Sequence, residues 1–236
     1  MVADSITYHP TLTKLVKFWD STPQREKSFR LLAYLSRFLS YYCYRKGYSK
    51  ELIDMFANLK NQFSFIRKGM RFFKPVTHLQ AASRAYDNKL LDPVLQFTTI
   101  VRNLSYAAYL GFDGLIFGKM LGLVNKSRVP DAATWASRFW LLGLAAGIIN
   151  SLRIIYSLSS YERSSTSSAD EKNQADINDV NNKLYIAKRK LVWDLLDSFI
   201  ALNTLNFLHF TEGDIGLAGV LTSLMGLEDQ WKAQSI

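Results

Sequence analysis

The chain has 236 residues, 48% of them hydrophobic, and carries 29 Lys/Arg against 20 Asp/Glu for a formal net charge of +9. That length and apolar content are enough to build a buried core and exclude a chain disordered throughout, while the single cysteine, Cys43, excludes an internal disulfide and a cysteine-based zinc site. Fifteen Phe, twelve Tyr and five Trp beside that positive charge point to a partner bearing anionic phosphate, either nucleic acid or lipid headgroups.

Apolar residues recur at three- and four-residue spacing with few alternating runs, which predicts an all-α chain. A short helix is expected from Thr11 to Asp20. Thr22 as N-cap with Pro23 at the first helical position opens a second, through Phe29, Leu32, Leu35, Leu39 and Tyr42 to Gly47. Leu52 to Phe73 forms a third, Val76 to Leu90 continues it past a kink at Pro75, and Val94 to Leu123 makes a long fifth. Asp131 caps a helix reaching about Leu158. From 159 to 182 the composition turns polar, with Tyr161, Ile177 and Val180 as its sizeable apolar residues, and reads as a disordered linker. Helix resumes from Lys183 to about Phe210, and a glycine-punctuated apolar segment runs from Ile215 to Leu227.

Charge divides the chain. Residues 1–129 hold 20 Lys/Arg against 8 Asp/Glu, net +12, and residues 130–236 hold 9 against 12, net −3. The expected organisation is a basic helical region at 1–129 with a membrane-binding helix near 60–86, a candidate membrane-spanning helix at 130–158, the linker at 159–182, and a helical membrane-associated segment at 183–236. The opening residues lack an apolar run behind a basic start, so no secretory signal is expected. The final QSI is not an SKL-type peroxisomal address.

Enzyme signatures are missing from the sequence. There is no Walker loop, GxGxxG, HExxH or GxSxG element, and His9, His78 and His209 stand alone. Asp194 and Asp197 share a helical face and have the spacing of an acid/base pair, but no His, Ser or metal ligand converges on them, and pairing with Lys188, Arg189 or Lys190 is the plainer role. No catalytic residue, metal or cofactor is expected.

Phe139 to Leu158 is the best membrane span: 20 residues rise about 30 Å, the thickness of the hydrocarbon core. Arg153 near its end can snorkel, and Gly143 and Gly147 are helix-packing candidates on a GxxxG step. Leu104 to Val124 contains Asp113 and Lys119, each costing roughly 2.5 to 3.5 kcal/mol near the bilayer centre, so it is expected at the interface or packed on protein. Ile215 to Leu227 is too short to cross alone.

The strongest physical signal lies in Lys60 to Leu79. At about 100° per residue, Lys60, Arg67, Lys68, Arg71, Lys74 and His78 fall within an arc of about 120°. Phe63, Phe65, Ile66, Met70, Phe72, Phe73, Val76 and Leu79 occupy the rest. Such a helix lies in the headgroup plane with its apolar face sunk to the acyl boundary and its cations on lipid phosphate. Five Lys/Arg contribute roughly 5 kcal/mol near an anionic leaflet, and burial of several large apolar chains at about 1.5 to 3 kcal/mol each exceeds that. Nucleic acid is disfavoured, since the aromatics segregate from the cations and no RNP, KH or zinc pattern is present.

Five blocks in order resemble the peroxin-11 family of fungal peroxisomal membrane proteins: YHPTLTKLVKFWD near the start, REKSFRLLAYLSRFL at 25–39, HLQAASRAYDNK at 78–89, LVWDLLDSFIALNTLNFL at 191–208 and GVLTSLMGLEDQWK at 219–232. The resemblance implies a peroxisomal membrane protein that promotes elongation, proliferation and division of the organelle through an inserting amphipathic helix. It further implies self-association into a homo-oligomer and recruitment of fission machinery including a dynamin-like GTPase, while the cationic helix face itself points to an anionic phospholipid membrane as partner. The expected molecule is an all-α, membrane-associated helical bundle without catalytic activity. The alternative from another class is a helical pore for small metabolites, with Asp113, Lys119, Asp194 and Asp197 along a polar path.

Overall fold

A computed structural model describes residues 9–125, 130–165 and 172–234. Regular structure among them is helical: α1 (Pro10–Asp20), α2 (Thr22–Lys46), α3 (Lys50–Met70), α4 (Lys74–Asp87), α5 (Pro93–Met120), α6 (Ala132–Ser165), α7 (Lys172–Thr204) and α8 (Glu212–Ala233). Local chemistry sets most of the ends. Pro10, Pro23, Pro75 and Pro93 stand at the first two positions of their helices, where a missing N–H leaves no bond unmade. Ser21, rather than Thr22, is the residue preceding α2. The Asp92 carboxylate accepts from the N–H groups of Val94 and Leu95 to cap α5, and Thr211 and Asp214 form a reciprocal capping box on α8. α2 stops at Gly47, whose φ of 71° is left-handed.

The chain forms two compact units, Met1–Phe72 with Leu208–Ile236, and Phe73–Phe207. In the first, α2 packs against α1, α3 and α8. Three glycines at a spacing of three let α8 approach α2 closely. A Cβ added at Gly216 would lie 2.9 Å from the Cα of Phe38, and at Gly213 and Gly219 it would run into the rings of Tyr41 and Tyr34. Buried Arg30 donates to the Thr222 hydroxyl at 2.9 Å, and Phe18 meets Trp231 edge-on with centroids 5.4 Å apart. Residues 183–207 cluster in the second unit and 208–236 in the first.

In the second unit α4 packs on α5, α5 on α6 and α6 on α7. Residues 132–160 of α6 are long and apolar enough to cross a membrane, and only 28% of that stretch is buried within the protein. A soluble core helix of this composition would be mostly covered. Twenty-nine residues rise about 43 Å, more than the hydrocarbon core of about 30 Å.

Both α6 and α7 extend into the stretch read as linker. Residues 159–165 and 172–182 are helical, and 166–171 lie outside the described residues. The polar start of α7 is continuous with a packed helix: Val180, Leu184 and Ala187 are buried, and Lys183 pairs with Asp179 one turn away at 2.6 Å. From Val180 onward, burial every three to four residues holds this helix in its unit.

Candidate membrane-binding surface

The amphipathic stretch is two helices, not one. α3 ends at Met70 and α4 begins at Lys74. Pro75 has no N–H to continue the helix, and its ring excludes the carbonyl four residues earlier. Arg71 and Phe73 adopt φ,ψ of −98°,0° and −92°,−3°, and the N–H groups of Arg71 and Phe72 return to the carbonyls of Arg67 and Gly69 at 3.2 Å. The 100° progression stops there, and the boundary between the two units falls between Phe72 and Phe73.

On α3, the residues expected on a lipid-facing cationic arc have other neighbours. Arg67 donates through Nε and Nη2 to one carboxylate oxygen of Glu26 on α2, at 3.1 and 3.0 Å, with both side chains largely covered. Burial, then the nearby Arg71 charge, push the Arg67 guanidinium below its usual pKa against the pull of Glu26. Arg71 approaches the same carboxylate at 3.9 Å. Phe63 rests on Phe29 of α2 with centroids 5.7 Å apart, and Phe65, Lys68 and Met70 are half-buried. Ile66 and Phe72 are exposed. Lys60 is half-buried and lines a cavity together with Arg37 of α2.

On α4, size and burial are inverted relative to a soluble helix. The covered residues are small, Ala82 and Ala85, whereas Phe73, Val76, Leu79 and Tyr86 are 80, 65, 52 and 63% exposed. Lys74 is half-buried at the start of the helix. His78 faces α5, where Nδ1 lies 3.1 Å from Oδ1 of Asn103 and the ring stacks on Tyr106 at 5.4 Å. Burial lowers its pKa, with the Lys74 and Arg102 charges adding to the effect against the Asn103 contact. Tyr86 lies seven residues, about two turns, beyond Leu79 and so continues the same outward face past the Lys60–Leu79 stretch.

The two α6 glycines are both buried. A Cβ on Gly143 would meet the Tyr106 ring at 3.0 Å, and one on Gly147 would overlap the guanidinium of Arg102. Arg102 forms a bidentate pair with Asp194 at 2.6 and 2.9 Å, which gives that aspartate a partner on α5 in place of the α7 lysines. Asp197 accepts from the indole of Trp193 at 3.1 Å, and Asp113 is buried on α5. Among the described residues no group of three His, Cys, Asp or Glu side chains converges to hold a metal.

The family profile of Peroxisomal biogenesis factor 11 (PEX11) matches residues 12–231. The chain is 37% identical to Peroxisomal membrane protein PMP27 of Saccharomyces cerevisiae, covering 99% of this chain and 100% of the relative. It is 35% identical to Peroxisomal membrane protein PMP30B of Candida boidinii, covering 99% of each. A more distant relative, human Peroxisomal membrane protein 11B, is 29% identical over 61% of this chain and 53% of its own length. No solved structure matches the chain. With the profile spanning nearly every helix and full-length relatives above 30% identity, the chain belongs to the peroxisomal biogenesis factor 11 family and is a peroxisomal membrane protein with a role in the dynamics of that membrane.

Proposed function

We propose that the chain elongates peroxisomes and prepares them for division by seating the outward apolar face of α4 in one leaflet while α6 anchors the same unit in the bilayer. The observation that carries this reading is the inverted burial of α4: Phe73, Val76, Leu79 and Tyr86 point away from the protein, and alanines point into it. Each of the first three chains gains about 1.5 to 3 kcal/mol on leaving water. That exceeds the roughly 1 kcal/mol that each cation such as Lys74 contributes at an anionic surface. Apolar insertion thus supplies the energy, and positive charge selects an anionic phospholipid membrane. Within the first unit taken by itself, exposed Ile66 and Phe72 with Lys68 have the same chemistry for a lipid surface. Shallow insertion spreads headgroups in one leaflet and curves it. Self-association of copies on one membrane, and recruitment of fission machinery including a dynamin-like GTPase, complete the reading and rest on family membership.

The test replaces Phe73, Val76 and Leu79 together by Ala, which keeps helix propensity high and removes the wedge. The variant is expected to reach peroxisomes, leave them unelongated, and fail to tubulate anionic vesicles. Tubulation at wild-type levels of bound protein would overturn the wedge.

A further inference from the structure

A cavity of about 240 Å³ in the first unit is lined by Ala33, Tyr34 and Arg37 of α2, Lys60, Ser64 and Arg67 of α3, and Glu212 at the start of α8. Three cations face it against one carboxylate. Arg37 holds Glu212 through Nε and Nη2 at 2.6 and 2.8 Å, so its Nη1 group is left over. Arg67 is likewise committed to Glu26 through Nε and Nη2, again leaving Nη1. The ammonium of Lys60 has no ion-pair partner among the described residues. Glu212 is itself more than half exposed, and Arg37, with Lys60 adding, holds its carboxyl below the usual carboxylate range.

We infer that this cavity is a binding site for a phosphate monoester, which takes Lys60 together with the spare donors of Arg37 and Arg67. A phosphate monoester is close to a dianion at neutral pH, with a second pKa of about 6, and has three terminal oxygens. Three separate cationic donor groups around one cavity match three terminal oxygens better than the two free oxygens of a diester, and Lys60 supplies the positive charge that the two Arg–Glu pairs leave uncancelled. Glu212 occupies the rim as an internal carboxylate competitor for Arg37. The cavity has room for a phosphate and a short polyol stub. The ligand is therefore either a lipid headgroup ending in a monoester or a small soluble phosphate ester. This site is separate from the α4 wedge, and its soluble arm reads it without any membrane.

The experiment uses the purified full chain in detergent with glycerol 3-phosphate as the soluble probe, followed by titration calorimetry. A second arm measures flotation with phosphatidylcholine vesicles containing phosphatidic acid, which presents the same monoester on lipid. Lys60→Ala is expected to weaken binding about tenfold or more. Lys50→Ala, which removes an exposed charge at the other end of α3, is expected to change it less than twofold. Glu212→Gln is expected to strengthen binding by removing the competitor, and affinity should rise between pH 5 and pH 7 as the ester becomes a dianion. Saturable binding of glycerol 3-phosphate with this pattern assigns the soluble ligand; the pattern on vesicles alone assigns the headgroup. If Lys60→Ala and Lys50→Ala behave alike in both arms, or Glu212→Gln weakens binding while circular dichroism matches wild type, the site is not there.

Discussion

Arg102 on α5 reaches across α6 at Gly147 and places two nitrogens 2.6 and 2.9 Å from the Asp194 carboxylate on α7. One ion pair thus ties together three successive helices of the second unit, and it passes only where the middle helix has no side chain. Asp194 is almost fully covered and Arg102 mostly so. Removing one partner leaves a buried charge alone, whereas replacing both leaves an apolar contact. Arg102→Leu is expected to destabilise the unit by about 3 to 5 kcal/mol. Arg102→Leu with Asp194→Leu should recover most of that loss, and Gly147→Leu should mimic the single variant. Unfolding in detergent with urea, followed by helix signal, measures all three; a double variant as unstable as the single would contradict the pairing.

The α2–α8 contact makes a second prediction, from space alone. Gly216→Val would force a branched side chain against the Phe38 backbone, and overpacking of this kind costs about 1 to 3 kcal/mol. Gly111 on α5 is also helical but has nothing within 4 Å of an added Cβ. Gly111→Ala should stabilise by about 0.5 to 1 kcal/mol, the usual preference of a helix interior for Ala over Gly. Thermal melts of the two variants should therefore move in opposite directions.

Ala145 lies in the apolar stretch of α6 and is exposed. If the helix crosses the bilayer, that position faces lipid, and arginine there has no protein partner. Ala145→Arg is expected to cost about 2.5 to 3.5 kcal/mol of insertion and to shift the protein into the alkali-extractable fraction. Arg153→Lys, near the end of the same stretch, should remain in the membrane pellet.

His78 gives a pH dependence with a defined sign. Its folded-state pKa is lowered from about 6.5, chiefly by burial, so the unfolded chain binds the proton more readily. Stability contributed by the neutral ring is complete above pH 6.5 and declines as pH falls below it toward the folded-state pKa, by at most about 1.4 kcal/mol per pH unit for one proton. His78→Gln removes the titrating group, and its urea midpoint should lose this slope between pH 7 and pH 5. An unchanged slope would assign the dependence to another group.

Local signals were enough for much of this molecule. The helical class, the start of four helices at prolines, the stop at Gly47 and the apolar stretch of α6 all follow from residue spacing and backbone chemistry within a turn or two. The excess of cations and aromatics in the first half, with the matching blocks, pointed to a peroxisomal membrane family. Tertiary structure decided who faces whom. Periodicity sorts Lys60 to Leu79 on one ideal cylinder and has no access to Glu26, 41 residues from Arg67; in the same way Asp194 lies 92 residues from Arg102 and Glu212 lies 175 from Arg37. A charged side chain satisfied by a distant carboxylate has the same sequence pattern as one facing water or lipid phosphate. Nor does hydrophobicity tell which side of α4 faces out, because outward Phe73, Val76 and Leu79 and inward Ala82 and Ala85 are all apolar; only the close fit of small residues against α5 leaves the large ones outside.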